Sequence, residues 1–223
     1  MFTVIVTTHD RPLLLQRTLR SLIAQTWQDF KVIVVSDSAT YLPPYAEMQA
    51  LAGRYTYIIR SGEPGPARSR DTGVALCDTP YLMFLDDDDT YEPQHLATLA
   101  AAIGAGRPEL VLCDFQVRHE DRTVNPPLEL ASEPISLAAL RVQDVYVLNR
   151  IPNSCVAYRA DVARGATHDA SLRIYEDWDF LLGCLRGRQL SYVPTASVVI
   201  HKSAANAPEN LRRGNTRDDL IAE

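Results

Sequence analysis

The chain has 223 residues, 46% hydrophobic and 22% charged, a balance that excludes a fibrous or disordered polypeptide and suffices for one large domain or two closely joined halves. A formal charge of −6 and the lack of any Lys/Arg-rich block argue against a nucleic-acid partner, because phosphate backbones need a concentrated cationic surface. Cys77, Cys113, Cys155 and Cys184 are far apart with no C-x-x-C pairing, no secretory leader is read at Met1, and no apolar run approaches bilayer length. A cytoplasmic setting follows as the expectation, with peripheral attachment to the inner face of a membrane, or to a protein partner, left open.

The first half alternates short β-branched runs with helix-like segments, the pattern of an α/β fold with a parallel sheet and crossover helices. Val4-Ile5-Val6 reads as a buried strand, and Pro12 opens a helix in which Leu15, Leu19, Leu22 and Ile23 recur at helical spacing. A second strand is expected at 31–35, a helix at 43–53, a third strand at 55–59, and a helix at 67–76 after a Pro-bearing loop. Residues 81–85 form a fourth strand that ends in Asp86, Asp87, Asp88 and Asp89. A helix then runs from Pro93 to about 103, stopped by Gly104, before a fifth strand at 110–113. Residues 118–133 turn polar and proline-bearing and read as a long excursion between two halves. Beyond it a helix is expected at 136–143, a strand at 154–158, a helix at 176–185 and a strand at 197–200, followed by a polar tail.

Ligands of open parallel sheets bind beyond the carboxyl ends of the strands. The residues placed there are Thr7, Thr8 and His9, then Ser36 and Asp37, then 61–70, then the four aspartates. Adjacent carboxylates raise one another's pKa unless a cation compensates them, and an all-oxygen site selects hard ions such as Mg2+ or Mn2+. The alternative is a solvated acidic turn. Arg68 and Arg70 stand near a helix start, where guanidinium and backbone N–H groups can face an anion, although neither a P-loop nor a dinucleotide fingerprint is present. Asp37 can accept from a base or ribose or simply form a turn; Glu176-Asp177 can cap a helix; His201 can be structural or a ligand.

Together these residues resemble the family 2 glycosyltransferases of the GT-A fold, inverting enzymes that use nucleotide-sugar donors. Val4 through Pro12 is similar to the family's first strand and nucleotide-binding turn, which implies donor contacts for Thr7 and His9, with His9-Asp10 where Tyr-Asn is commoner. Val34-Val35-Ser36-Asp37-Ser38 resembles V-V-D-D-G-S, with Asp37 at the base-contacting Asp and Ser36 replacing the first. Ser69-Arg70-Asp71-Thr72-Gly73 resembles A-R-N-x-G, which favours Arg70 over Arg68 as the donor contact. Phe84 through Asp89, followed by Glu92-Pro93, resembles F-L-D-x-D-D…x-P. This D-x-D resemblance implies Asp88 as the metal ligand, with Asp86 and Asp87 near the donor's ribose and the metal's waters. Glu176-Asp177-Trp178-Asp179 is similar to E-D-W-D, implying Asp177 as general base, and His201 stands where many members place a late metal-binding His.

The resemblance implies residues 1–116 as the nucleotide-sugar-binding half and 117–203 as the acceptor and base half of one compact domain, with 204–223 as a tail. It implies transfer of a hexose with inversion from a nucleotide-diphosphate sugar, UDP-sugar favoured, to a hydroxyl of a saccharide or lipid-linked glycan in cell-surface polysaccharide synthesis, with Mn2+ or Mg2+. The rivals are a sugar-nucleotide nucleotidyltransferase, a metal-dependent phosphatase and a non-catalytic nucleotide-sugar-binding module. The first needs a Gly-rich cationic loop after strand one, which residues 7–12 do not supply, and the second a nucleophilic Asp there, where only Asp10 is near.

Overall fold

The computed structural model describes residues 1–38, 43–104 and 106–203, so the tail expected at 204–223 lies outside the described residues. The β-branched runs of the first half become four parallel strands, β1 (Phe2–Thr8), β2 (Phe30–Ser36), β3 (Tyr55–Ile59) and β4 (Tyr81–Asp86), ordered β3-β2-β1-β4. Strands covered on both faces read as continuous apolar runs. That is how 4–6, 32–35 and 81–85 appear, all of them buried. Helix α1 (Pro12–Ile23) starts on a proline and buries Leu15, Leu19 and Leu22, each contributing roughly 1.5–3 kcal/mol. Helix α2 (Tyr45–Ala50) is shorter than expected and packs on α1. Helix α3 (Pro66–Leu76) lies directly on β1 and β2. Its Gly73 permits that approach, since a Cβ there would stand 2.4 Å from Cγ2 of Ile5.

The sheet then turns mixed. The short β5 (Thr90–Tyr91) precedes α4 (His95–Ile103), and β6 (Leu110–Asp121) and β7 (Leu128–Ile135) form an antiparallel arm. Strand β8 (Val156–Arg159) joins β4 to β6, and β9 (Leu190–Ser203) runs parallel to β6 and antiparallel to β5. The full order is β3-β2-β1-β4-β8-β6-β9-β5, with β7 on β6. Strands β4 and β5 are separated by Asp87, Asp88 and Asp89 in the chain, yet have three strands, β8, β6 and β9, between them in the sheet. The sheet therefore curls around the acidic turn.

Three expectations for the second half are corrected. The excursion at 118–133 is largely the β6–β7 arm. The helix expected at 136–143 is absent over 136–141: Asp114 Oδ1 accepts from the Leu137 N–H at 2.6 Å and Ser136 Oγ from the Ala138 N–H, local bonds that compete with helical ones, and α5 covers only Val142–Val145. Residues Asn153–Cys155 form a 3-10 turn ahead of β8 rather than its start. Short α6 (Ala160–Ala163) follows β8, and α7 (Glu176–Leu185) comes where the sequence placed it. Phe180 of α7 stacks on His168 at 4.0 Å and meets Phe84 and Tyr158 edge-on at 5.6 and 5.5 Å, which fixes α7 against β4 and β8.

Candidate active site

The acidic turn separates its four carboxylates by burial. Asp87 has no exposed side-chain surface; Thr8 Oγ1 donates to its Oδ2 at 2.7 Å and Arg11 pairs with its Oδ1 at 2.5 Å. Asp89 is also buried, accepting from Ser154 Oγ at 2.9 Å and from the His201 N–H at 3.3 Å. Asp86 and Asp88 alternate with them and keep side-chain exposures of 18% and 13%. The spacing D-x-D is thus realised as two accessible carboxylates over two buried ones. Asp87, expected near a donor, is the member of the turn whose carboxylate faces inward, onto Thr8 and Arg11. The turn's carbonyls are held as well, Asp88 O by Arg17 at 2.8 Å and Asp89 O by Thr18 Oγ1 at 2.7 Å, both from α1.

At the mouth formed by β1 and β2, Thr7 stands beside Asp86 in the parallel ladder and is partly exposed. His9, half exposed, has Nδ1 2.7 Å from Asp37 Oδ1; a carboxylate can only accept, so Nδ1 carries the proton. The other oxygen of Asp37 accepts the Gly65 N–H at 2.6 Å and lies 3.4 Å from Arg60. Asp37 therefore fixes the loop entering α3 in addition to facing the mouth. Arg60, which no motif singled out, also reaches Gly65 O and Ser69 Oγ. Arg68 is exposed and lies 4.0 Å from exposed Glu63.

Arg70 joins the acidic turn to α7. Its Nη2 donates to Asp86 Oδ1 at 3.1 Å and its Nη1 to Glu176 Oε1 at 2.6 Å, with only 6% of the side chain exposed. Burial opposes its charge, but Asp86, Glu176 and Asp177 together raise its pKa. Asp177, next in sequence to the bridged Glu176, has its pKa raised mainly by burial and moderated by Arg70. Its Oδ1 accepts the Trp178 N–H at 2.8 Å. The preceding Tyr175 is left-handed at φ 67°, costing roughly 1–2 kcal/mol, and its ring meets Trp178 edge-on at 5.7 Å. Trp178 Nε1 donates in turn to Val145 O at 2.8 Å.

The second cationic group converges on Glu120, at the outer end of β6. Both its oxygens accept from Arg17, Oε1 accepts from Arg122 Nε at 2.6 Å, and Oε2 lies 3.0 Å from His201 Nδ1. Burial would raise its pKa, but the hydrogen bonds from His201, Arg17 and Arg122 outweigh it and hold the carboxyl at about 2. Because Glu120 stays ionised, His201 Nδ1 is the protonated nitrogen, and Nε2 accepts from Thr90 Oγ1 at 2.8 Å. His201, expected as a metal ligand, has both ring nitrogens directed to protein partners and also meets Asp89 of the acidic turn through its backbone N–H. Arg122 donates to His201 O at 3.0 Å and approaches Asp88 at 3.9 Å.

Among the described residues no group of three or more His, Cys, Asp or Glu side chains is arranged to hold a metal ion. Asp86 and Asp88 nevertheless fit a small hard cation that is held by one or two carboxylates and takes its remaining oxygens from bound phosphates and water. Of the expected site residues, Thr7 pairs with Asp86 in the ladder, His9 meets Asp37, and Arg70 joins Asp86 to Glu176, the residue before Asp177. Arg11, Arg17, Glu120, Arg122 and Ser154 complete the candidate site and were not assigned roles from sequence. No described helix is long and apolar enough to cross a membrane.

The family model for glycosyl transferase family 2 matches residues 3–165. The succinoglycan biosynthesis protein ExoW of Rhizobium meliloti is 38% identical over 42% of this chain and 31% of its own length. The uncharacterized glycosyltransferase YwdF of Bacillus subtilis is 25% identical over 98% of this chain and 81% of its own. Among solved structures, S. aureus TarS 1-349 in complex with UDP-GlcNAc superposes with a TM-score of 0.71 at 19% identity, over 95% of this chain and 61% of that one. The mannosyltransferase PcManGT from Pyrobaculum calidifontis, in complex with GDP-Man and Mn2+, superposes with a TM-score of 0.63 at 16% identity, over 93% and 58%. The chain thus spans less than a third of ExoW and about six-tenths of these solved chains. The curled α/β sheet flanked by helices is shared with these GT-A structures, and the chain belongs to glycosyl transferase family 2.

Proposed function

We propose that the chain transfers a hexose, with inversion, from a nucleotide-diphosphate sugar to a hydroxyl of a saccharide or lipid-linked glycan, with Asp177 as general base. The observation that carries this reading is the Arg70 bridge, at 3.1 Å to Asp86 and 2.6 Å to Glu176, because it ties the accessible carboxylates to the residue beside Asp177. A base raised in pKa by burial and kept ionised by a neighbouring guanidinium suits proton removal from an acceptor hydroxyl near neutral pH. The acceptor oxygen attacks the anomeric carbon, the bond to the diphosphate breaks, and the hydroxyl proton passes to Asp177.

In this reading Thr7, His9 and Asp37 border the nucleoside, Asp86 and Arg70 the ribose side, and Asp88 the diphosphate. Mn2+ or Mg2+ on Asp88 would offset the charge on the departing diphosphate. The names of two neighbours, which bind UDP-GlcNAc and GDP-Man with Mn2+, support a nucleotide-sugar donor and a divalent ion. ExoW's part in succinoglycan biosynthesis supports a polysaccharide context. On the acceptor side, Tyr146, Val147 and Leu148 are exposed beside the Val145 that holds Trp178, which supports an acceptor with an apolar carrier.

The test is a thermal-shift screen of UDP-, GDP- and dTDP-sugars with and without Mn2+, followed by transfer assays of Asp177→Asn with the stabilising donor. Asp177→Asn is expected to keep donor binding and lose about 10²–10⁴-fold in turnover. Near-wild-type turnover would remove Asp177 from the base role, and metal-dependent stabilisation by none of the donors would sink the whole reading.

A further inference from the structure

Arg11 differs from the other arginines of the site in being anchored on one edge and loosely engaged on the other. Nη2 lies 2.5 Å from Asp87 Oδ1, and Asp87 is itself held by Thr8 Oγ1. Nη1 is 3.4 Å from Asp88 Oδ2, a long contact, and 19% of the side chain remains exposed. The chain before it is set by the Asp10 turn, left-handed at φ 49° and tied to Ser38 through its carboxylate, and the chain after it by Pro12 at the start of α1. Its guanidinium is therefore fixed in place by a fully buried carboxylate and turns its second edge to the accessible one.

Resting on the donor reading above, we propose that Arg11 is a diphosphate-binding residue that exchanges partners: it neutralises Asp88 until donor arrives, then donates Nη1 to the donor's diphosphate as a divalent ion takes Asp88. The exchange needs no movement of the anchored edge, because Asp87 keeps Nη2 throughout. Guanidinium is suited to the second partner, since it presents parallel donors to phosphate oxygens and stays charged at every working pH. Arg122 also approaches Asp88, but it is almost wholly buried and committed to Glu120 and His201 O. Arg11 is the one of the two that a ligand can reach.

The exchange predicts two shifts of opposite sign for one substitution. In Arg11→Gln the cation competing for Asp88 is gone, so Mn2+ alone, titrated by electron paramagnetic resonance of the free ion, binds about three- to tenfold more tightly. The same variant at saturating Mn2+ binds UDP, GDP, dTDP and inorganic pyrophosphate at least about tenfold more weakly by calorimetry, the loss of one charge-assisted bond. Arg11→Lys, which keeps the charge without the fork, is expected to leave Mn2+ affinity within about threefold of wild type and to lose part of the pyrophosphate affinity. A merely structural Arg11 would weaken both ligands together. Unchanged or weaker Mn2+ binding in Arg11→Gln overturns the proposal, as does unchanged pyrophosphate binding. If wild type binds Mn2+ and pyrophosphate but none of the nucleotides, the donor reading fails, and the opposed shifts with those two probes still judge the exchange.

Discussion

Of the arginines that meet the acidic turn, Arg70 and Arg11 are built differently. Arg70 is sealed between Asp86 and Glu176 with short bonds to both, whereas Arg11 is sealed against Asp87 only and shows its other edge to solvent and Asp88. Both balance the same run of carboxylates. The difference teaches that charge pairing around this turn serves two ends: on the α7 side it makes a fixed brace for Asp177, and on the α1 side it leaves a contact that a ligand can replace.

The contrast is broken most strongly at the brace. Arg70→Gln leaves Asp86 and Glu176 without their shared guanidinium and is expected to cost about 3–5 kcal/mol in denaturant unfolding. It also removes the group that lowers the Asp177 pKa, so the acid limb of the rate profile moves to higher pH; an unmoved limb would detach Arg70 from the base. Next comes Glu120→Gln, expected to cost about 3 kcal/mol at pH 7, since partly buried Arg17 and buried Arg122 and His201 lose their anion. Glu120 is depressed from 4.5 to about 2 in the fold, so its contribution is complete above about pH 4.5 and is lost as pH falls toward 2. Acid titration of wild-type stability should show that slope, and the Gln variant should lack it.

Smaller effects sharpen the same picture. Gly73→Ala drives a Cβ into Ile5 and should cost about 1–3 kcal/mol, with a weaker Arg70 brace one turn away as its functional sign. Arg11→Gln should cost less than Arg70→Gln, because Asp87 keeps its bond from Thr8 and Asp88 holds part of its side chain at the surface. Equal losses for Arg11→Gln and Arg70→Gln would erase the distinction between brace and exchangeable contact.

The parallel half was legible in the sequence because its strands are buried on both faces and its helices carry leucines at helical spacing, signals that need no knowledge of partners. The β6–β7 arm was not. In Asp114-Phe115-Gln116-Val117-Arg118-His119-Glu120-Asp121 the charges that suggest a loop are buried by pairing: Asp114 with Leu137 N–H and Tyr192, Glu120 with Arg17, Arg122 and His201. Hydropathy reads such residues as exposed. The same reason hid half of the site. Asp86, Asp88, Arg70 and Asp177 sit in motifs whose spacing can be read directly, but Glu120 meets Arg17 across 103 positions, and neither lies in a recognisable pattern. Nor does adjacency in sequence reveal that the acidic turn alternates, with Asp86 and Asp88 reaching the surface and Asp87 and Asp89 buried.

Tyr175 carries a consequence for anyone who would make this protein more robust. A stability-guided redesign would replace a left-handed tyrosine with glycine or asparagine, the residues that adopt that backbone at little cost. Here the side chain braces Trp178 immediately after Asp177, so the relieved backbone comes with a less constrained Asp177, the proposed base. The position sets durability against catalytic readiness, and improving the first by ordinary rules is expected to reduce the second.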